Sequence, residues 1–282
     1  MHIVNTITAV RQAVRAARTA GKTVGLVPTM GALHRGHTSL IRAAVQQCNY
    51  VVVSIFVNPT QFGPQEDLNA YPRPFEEDCE LCCQAGVNLV FSPNPDEMYG
   101  GPSLTWITVD KLTESLCGRS REGHFRGVTT VCAKLFNIVL PDQAFFGQKD
   151  AQQAAVIKRM VDDLNIPLTI EVCPTIREPD GLAISSRNDY LNDVERKQAI
   201  CLFESLQMCK RQIEQGLRSS TELIALVRKR LDRVPNAVVD YIEIVDNRTF
   251  VPVDTAKGTV LIALAVQIGP ARLIDNIVID CG

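Results

Sequence analysis

Apolar residues in the first two thirds of the chain fall into short runs separated by stretches of helical period. Runs at 24–27, 51–57, 87–91, 145–146 and 168–172 have the length and β-branched content of strands. Between them, Ile7, Val10, Val14 and Ala17 mark a first helix ended by Gly21, and helical patterns cover 38–47, 75–85, 128–139 and 151–164. A strand that is apolar throughout is buried on both faces, and parallel neighbours need a crossover helix between them. The pattern therefore predicts an α/β fold: a Rossmann-like parallel sheet with helices on both faces. Past about residue 175 the order changes. Segments 191–216 and 221–234 read as helices, and 238–245, 260–268 and 272–279 as strands. Helices followed by a block of strands predict a smaller C-terminal α+β domain. The expected domains are 1–175 and 176–282, with a boundary near Pro174. The most apolar run, 260–268, is too short to span a bilayer.

In a parallel sheet, ligands gather at the carboxyl ends of the strands. The run at 24–27 ends in Pro28-Thr29-Met30-Gly31-Ala32-Leu33-His34-Arg35-Gly36-His37, and Leu40, Ile41, Ala44 and Val45 follow at helical spacing. Two histidines three residues apart in a first helical turn share a face. The free N–H groups and positive dipole of that turn lie beside them. Such a place suits phosphate oxygens whose charge grows during reaction; the competing reading is two ordinary surface histidines near a turn.

Three further segments carry polar groups, each with an ordinary alternative. Asn58 and Gln61 suit a neutral polar ligand, or simple turn chemistry around Pro59. Gly147-Gln148-Lys149-Asp150, followed by Gln152 and Gln153, offers a lysine point charge to phosphate, or is a common helix-start turn. Ile184-Ser185-Ser186-Arg187 offers two hydroxyls and a guanidinium to a triphosphate, or forms a hydroxyl-capped turn with a solvated arginine. The basic, glycine-rich stretch 118–127 reads as an anion-binding segment or a solvated loop.

Composition narrows the function classes. Of 282 residues, 46% are hydrophobic, and 29 basic side chains face 31 acidic ones for a net charge of −2. A generally basic surface for nucleic acid is absent, which disfavours an RNA-binding reading of the two histidines. The start, Met-His-Ile-Val-Asn-Thr, does not read as a signal peptide, so a cytoplasmic protein without membrane contact is expected. The ten cysteines are then expected to be reduced packing residues. Cys79, Cys82 and Cys83 form the one metal-like cluster, but no second ligand pair accompanies it. They are expected on one core-facing side of a helix, and no protein metal site is predicted.

Taken together, these motifs are similar to those of the pantothenate synthetase (pantoate–β-alanine ligase) family. The resemblance rests on segments 28–40, 56–73, 123–131, 135–153 and 176–191, which span nearly the whole chain. The two-histidine motif alone indicates only the broader nucleotidyl-transferase superfamily. The resemblance implies ATP-dependent condensation of pantoate with β-alanine through an enzyme-bound pantoyl adenylate, releasing pyrophosphate and AMP. It implies ATP contacts from Met30, Gly31, Ala32, Leu33, His34, Arg35, Gly36 and His37, from Gly147, Gln148, Lys149 and Asp150, and from Ile176, Ile184, Ser185, Ser186 and Arg187. His37, His34 and Lys149 are the implied catalytic groups. Gln61 and Gln153, with Asn58, are the implied substrate-binding groups. Mg²⁺ is expected to accompany ATP, the second domain to close over the nucleotide, and the enzyme to be a homodimer through its first domain. Gln148 departs from the family's usual Glu, Arg35 from a position often acidic or polar, and Thr38 from the usual Leu. Another adenylyl-forming enzyme and a catalytically silent nucleotide-binding protein are the rival readings. The Asn58, Gln61 and Gln153 set speaks against the first, and the intact histidines, Lys149 and Ser185–Arg187 against the second.

Overall fold

The apolar runs become strands and the periodic stretches become helices. The computed structural model describes residues 1–64 and 66–282. Along the chain lie β1 (His2–Val4), α1 (Ile7–Thr19), β2 (Val24–Thr29), α2 (Arg35–Gln47), β3 (Tyr50–Ile55), α3 (Phe75–Gln84), β4 (Leu89–Phe91), α4 (Pro95–Tyr99), α5 (Leu116–Ser120), α6 (His124–Val139), β5 (Gln143–Gly147), α7 (Ala151–Asp163) and β6 (Thr169–Cys173). Then come α8 (Asp193–Gln198), α9 (Cys201–Glu214), α10 (Ser220–Leu231), β7 (Ala237–Asp246), β8 (Thr259–Ile268) and β9 (Ala271–Asp280).

Chain contacts divide the protein into two compact units. One comprises Met1–Val109, Arg121–Gln148 and Gln153–Pro174; the other comprises Asp110–Ser120, Lys149–Gln152 and Thr175–Gly282. The first unit holds a six-stranded sheet, order β1-β4-β3-β2-β5-β6, in which every pairing is parallel. One face is sealed by α1 and α6, whose Val10, Val14, Leu135 and Phe136 pack on Leu26, Val52 and Phe91. On the other face Leu40, Ile41 and Ala44 of α2 and Cys82 of α3 cover Val27, Val53 and Phe145. Strand order reverses between β2 and β5, because β3 and β4 extend one way and β5 and β6 the other. That crevice is where a doubly wound sheet binds ligands, and the histidine segment follows β2.

The second unit holds an antiparallel sheet, β7-β8-β9, and its apolar face packs against α9 and α10 through Leu202, Leu206, Leu223 and Val227. The run 260–268 is its central strand, sheltered on both sides. The single helix expected at 191–216 is two, α8 and α9, separated by Ala199 and Ile200, both of which keep right-handed helical angles. The stretch 118–127, read as an anion-binding segment or a solvated loop, is largely helical, with α6 beginning at His124 rather than 128. Among the described residues no helix is long and apolar enough to cross a membrane.

Candidate active site

The histidine segment leaves β2 through Gly31 and Ala32, both in the left-handed region (φ 86° and 50°). At Gly31 a Cβ would lie 2.9 Å from Asp78 Oδ2 and 3.1 Å from Ile55, so glycine meets both the backbone angle and the close approach. The twist aims two successive main-chain donors at one carboxylate. Ala32 N–H donates to Asp78 Oδ2 at 2.9 Å and Leu33 N–H to Asp78 Oδ1 at 2.6 Å. Asp78 lies in the first turn of α3 and is 1% exposed. Burial raises its pKa, and the two N–H donors offset only part of that rise.

His34 does not sit within the helix. It is the N-cap of α2 and His37 is the third helical residue, and the two form a reciprocal capping box. The Gly36 N–H donates to His34 Nδ1 at 3.1 Å, and the His34 N–H faces His37 Nδ1 at 3.4 Å. The rings stack with centroids 4.1 Å apart. This corrects the expectation of open backbone donors at the helix start: the loop donors go to Asp78 and the first-turn donors to His34. With both Nδ1 lone pairs engaged, each neutral ring carries its proton on Nε2. Both imidazoles are half-buried, while Arg35 between them is exposed.

Gln61 is 9% exposed and lies in a short 3₁₀ turn after β3. Its amide donates to Met30 Sδ at 2.9 Å and accepts from Asn58 Nδ2 at 3.2 Å. Asn58 is 1% exposed and its amide is committed internally. It accepts from Tyr99 O–H at 2.6 Å and Thr60 O–H at 2.9 Å, and donates to the Gly127 carbonyl at 3.2 Å. The structure therefore makes Asn58 a brace for Gln61 and leaves its amide no free face for a substrate. Met30 and Gly31 also border a cleft of about 300 Å³ whose walls include Phe56, Arg73, Asp78 and Pro93. That volume suits a small polar metabolite. Gln153 is half-buried on α7.

In the second unit, Lys149 and Asp150 form a half-buried turn, Nζ to Oδ1 3.8 Å. The Lys149 carbonyl accepts from Asn276 Nδ2 on β9 at 2.8 Å. Ile176 and Ile184 meet across a hairpin, Ile184 N–H to Ile176 O at 3.0 Å. Ser185 caps the 3₁₀ turn Ser186–Tyr190 by accepting from the Arg187 N–H at 3.3 Å, so the capped-turn reading holds for its hydroxyl. Gly147 ends β5 in the first unit and Gln148 opens the short 3₁₀ turn that follows, both half-buried.

Sequence reasoning missed Asp78, Tyr99 and the ion pair of Glu66 with Arg121. The signal for Asp78 was present as an acidic first turn after Pro74, where it reads as an ordinary complement to the helix dipole. The cysteine expectation needs a correction. Cys82 is fully buried, with burial pushing its thiol up to about 12, but Cys79 is half-buried and Cys83 is exposed. Cys79 and Cys82, three residues apart, pack in the same core cluster, while Cys83, about 100° round the helix from Cys82, turns to solvent. Among the described residues no three His, Cys, Asp or Glu side chains converge to hold a metal.

Comparison with known proteins identifies the family. The family described as pantoate-beta-alanine ligase matches residues 2–278. The pantothenate synthetase of Acetivibrio thermocellus is 50% identical over 280 residues, covering 99% of this chain and 100% of that protein. That of Moorella thermoacetica is 53% identical over 280 residues, covering 99% of each. The crystal structure of pantothenate synthetase from Thermus thermophilus superposes with a TM-score of 0.93 at 42% identity, covering 98% of this chain and 99% of that one. The Francisella tularensis pantoate-beta-alanine ligase, solved in complex with beta-gamma ATP and β-alanine, gives a TM-score of 0.81 at 35% identity, covering 98% of this chain and 97% of that one. With the family matched from the first strand into the last, and with curated relatives about half identical over nearly the whole chain, the chain belongs to the pantoate–β-alanine ligase family.

Proposed function

We propose that the protein joins pantoate to β-alanine in two steps on one surface. A pantoate carboxylate oxygen attacks the α-phosphorus of ATP, pyrophosphate leaves, and pantoyl adenylate stays bound. The β-alanine amine then attacks the acyl carbon, loses a proton, and expels AMP, giving pantothenate. A free carboxylate is a poor acyl donor, and adenylation turns one of its oxygens into part of a good leaving group. No protein nucleophile is needed, so catalysis is positioning and charge stabilisation.

The residue assignments rest on the family resemblance, and the local geometry of the histidine cap and of the Gln61 turn supports them. His37 and His34 aim Nε2–H donors at phosphate oxygens, in a tautomer their own capping box selects. Lys149 adds a point charge. Gln61 and Gln153 bind pantoate, and Asn58 holds Gln61. Met30, Gly31, Ala32, Leu33, Arg35 and Gly36 shape the nucleotide loop, with Gly147, Gln148, Asp150, Ile176, Ile184, Ser185, Ser186 and Arg187 as further nucleotide contacts. Mg²⁺ is assigned to the ATP phosphates and water rather than to a protein cage, its usual mode with nucleotides. The enzyme is proposed to be a cytoplasmic homodimer whose product feeds coenzyme A synthesis; these last points rest on the family resemblance.

The reciprocal histidine cap is the observation that supports the reading most, since it prepares two oriented donors at the sheet's switch point. The test is AMP release by purified enzyme with ATP and Mg²⁺. It should require pantoate and β-alanine together. AMP formed without pantoate, or ADP in its place, overturns the reading.

A further inference from the structure

We propose that His124 is a positioning residue for Gln61, held neutral with its proton on Nδ1, and that Glu66 and Arg121 fix it in that form. The proposal rests on the reading of Gln61 as a pantoate ligand. His124 opens α6 and is 8% exposed. Its Nδ1 lies 2.9 Å from the Gln61 carbonyl and its Nε2 lies 2.9 Å from Arg121 Nη1. A guanidinium only donates and a carbonyl only accepts, so Nε2 must accept and Nδ1 must donate. Both ring nitrogens are thereby committed, and His124 has no lone pair or proton left for acid–base work. It differs from His34 and His37, whose caps place the proton on Nε2.

Arg121 is itself fixed by a two-pronged bond to Glu66, Nε to Oε1 at 2.7 Å and Nη2 to Oε2 at 2.8 Å. Glu66 Oε2 also accepts from the Gly63 N–H at 3.2 Å. Burial alone would raise the Glu66 pKa, but the bonds and charge of Arg121 hold it at about 2. One bonded series thus runs from the main chain at Gly63 through Glu66, Arg121 and His124 to the main chain at Gln61. The helix also presses on that turn: a Cβ at Gly127 would lie 2.3 Å from the Thr60 carbonyl oxygen and 2.7 Å from Gln61 Cα. From the other side, Asn58 and Met30 hold the Gln61 amide. His124 therefore sets the backbone from which the amide is aimed.

Two measurements test this. Nitrogen-15 NMR of histidine-labelled wild-type enzyme should show one neutral ring protonated on Nδ1, lost in His124→Asn; its absence overturns the proposal. Calorimetry should then give His124→Phe about tenfold weaker pantoate binding, the loss of one hydrogen bond's worth of positioning. Binding of a non-hydrolysable ATP analogue should stay within twofold. His124→Asn keeps a donor at the Nδ1 position and should restore most of the pantoate affinity, and it carries the test if His124→Phe fails to fold. Combined with Gln61→Ala, His124→Phe should add nothing further. Should Gln61→Ala leave pantoate binding unchanged, the reading of Gln61 fails. Should Gln61→Ala weaken it while both His124 variants bind normally, the reading stands and the inference is overturned. Equal losses for pantoate and the ATP analogue also overturn it, because a general structural role predicts that.

Discussion

Replacing Asp78 by Ala removes the acceptor for two buried main-chain donors at once. Ala32 N–H and Leu33 N–H reach Asp78 at 2.9 and 2.6 Å, and the carboxylate is 1% exposed. A buried donor left without a partner costs about 1–3 kcal/mol, so two cost roughly 2–6. Relief from burying a carboxylate offsets part of this, leaving about 2–4 kcal/mol of lost stability. At a urea slope of about 2–3 kcal/mol per M, the midpoint falls by roughly 1 M. Trp106 is the only tryptophan and lies in the same unit, so its fluorescence reports the transition. Nucleotide affinity should fall as well, since the Gly31–Ala32 twist is no longer held. Asp78→Asn separates charge from bonding: its oxygen accepts one N–H while its NH₂ faces the other. The Asp78 pKa is raised in the fold, chiefly by burial. Its contribution to stability is therefore full below the unfolded value of about 3.9 and declines as pH rises through the folded value. Asp78→Asn should remove that slope. An Asp78→Ala midpoint within about 0.2 M of wild type, with unchanged nucleotide binding, refutes the clamp.

Other consequences follow from the same contacts. His37→Ala should slow pantoate-dependent exchange of pyrophosphate into ATP by roughly 10²–10³, the loss of one transition-state donor; a rate within threefold of wild type contradicts the assignment. Gly127→Ala should shift the 58–61 turn, costing about 1–3 kcal/mol of stability in a urea titration and weakening pantoate more than ATP. The Glu66 bridge, formed by a carboxylate with a depressed pKa, contributes fully above about pH 4.3 and is lost as pH falls towards about 2; Glu66→Gln should flatten the acid limb of stability over that window. A thiol reagent at pH 8 should label Cys83 first, while Cys82, Cys132, Cys201 and Cys209, pushed up to about 12 by burial, stay unreactive until unfolding. Cys83→Ser should abolish the fast phase.

The sequence reads well where structure is set by neighbours in the chain. Continuous apolar runs and 3.6-residue periods locate the parallel sheet and its helices, because burial on both faces leaves an unbroken signature. His2–Val4 escapes notice, being three residues with no room to show alternation. The histidine motif is legible because strand, loop and helix are contiguous. Its chemistry is less so: whether the helix donors are open depends on which way His34 turns, and it turns inward as a cap. Asp78 meets Leu33 from 45 positions away, Arg121 meets Glu66 from 55, and Asn276 meets Lys149 from 127. Such partners leave no local trace. For the same reason Asn58 suits substrate on paper, yet Tyr99 and Gly127 take its amide in the fold.

The central claim is that pantoate is activated by adenylation, and isotope transfer tests it most directly. Pantoate labelled with oxygen-18 in its carboxylate is converted with ATP and β-alanine, and the products are analysed by mass spectrometry. Attack of the carboxylate on the α-phosphorus, followed by acyl transfer to the amine, predicts one labelled oxygen in each AMP and none in pyrophosphate. Label appearing in inorganic phosphate alongside ADP, or AMP without label, contradicts the account.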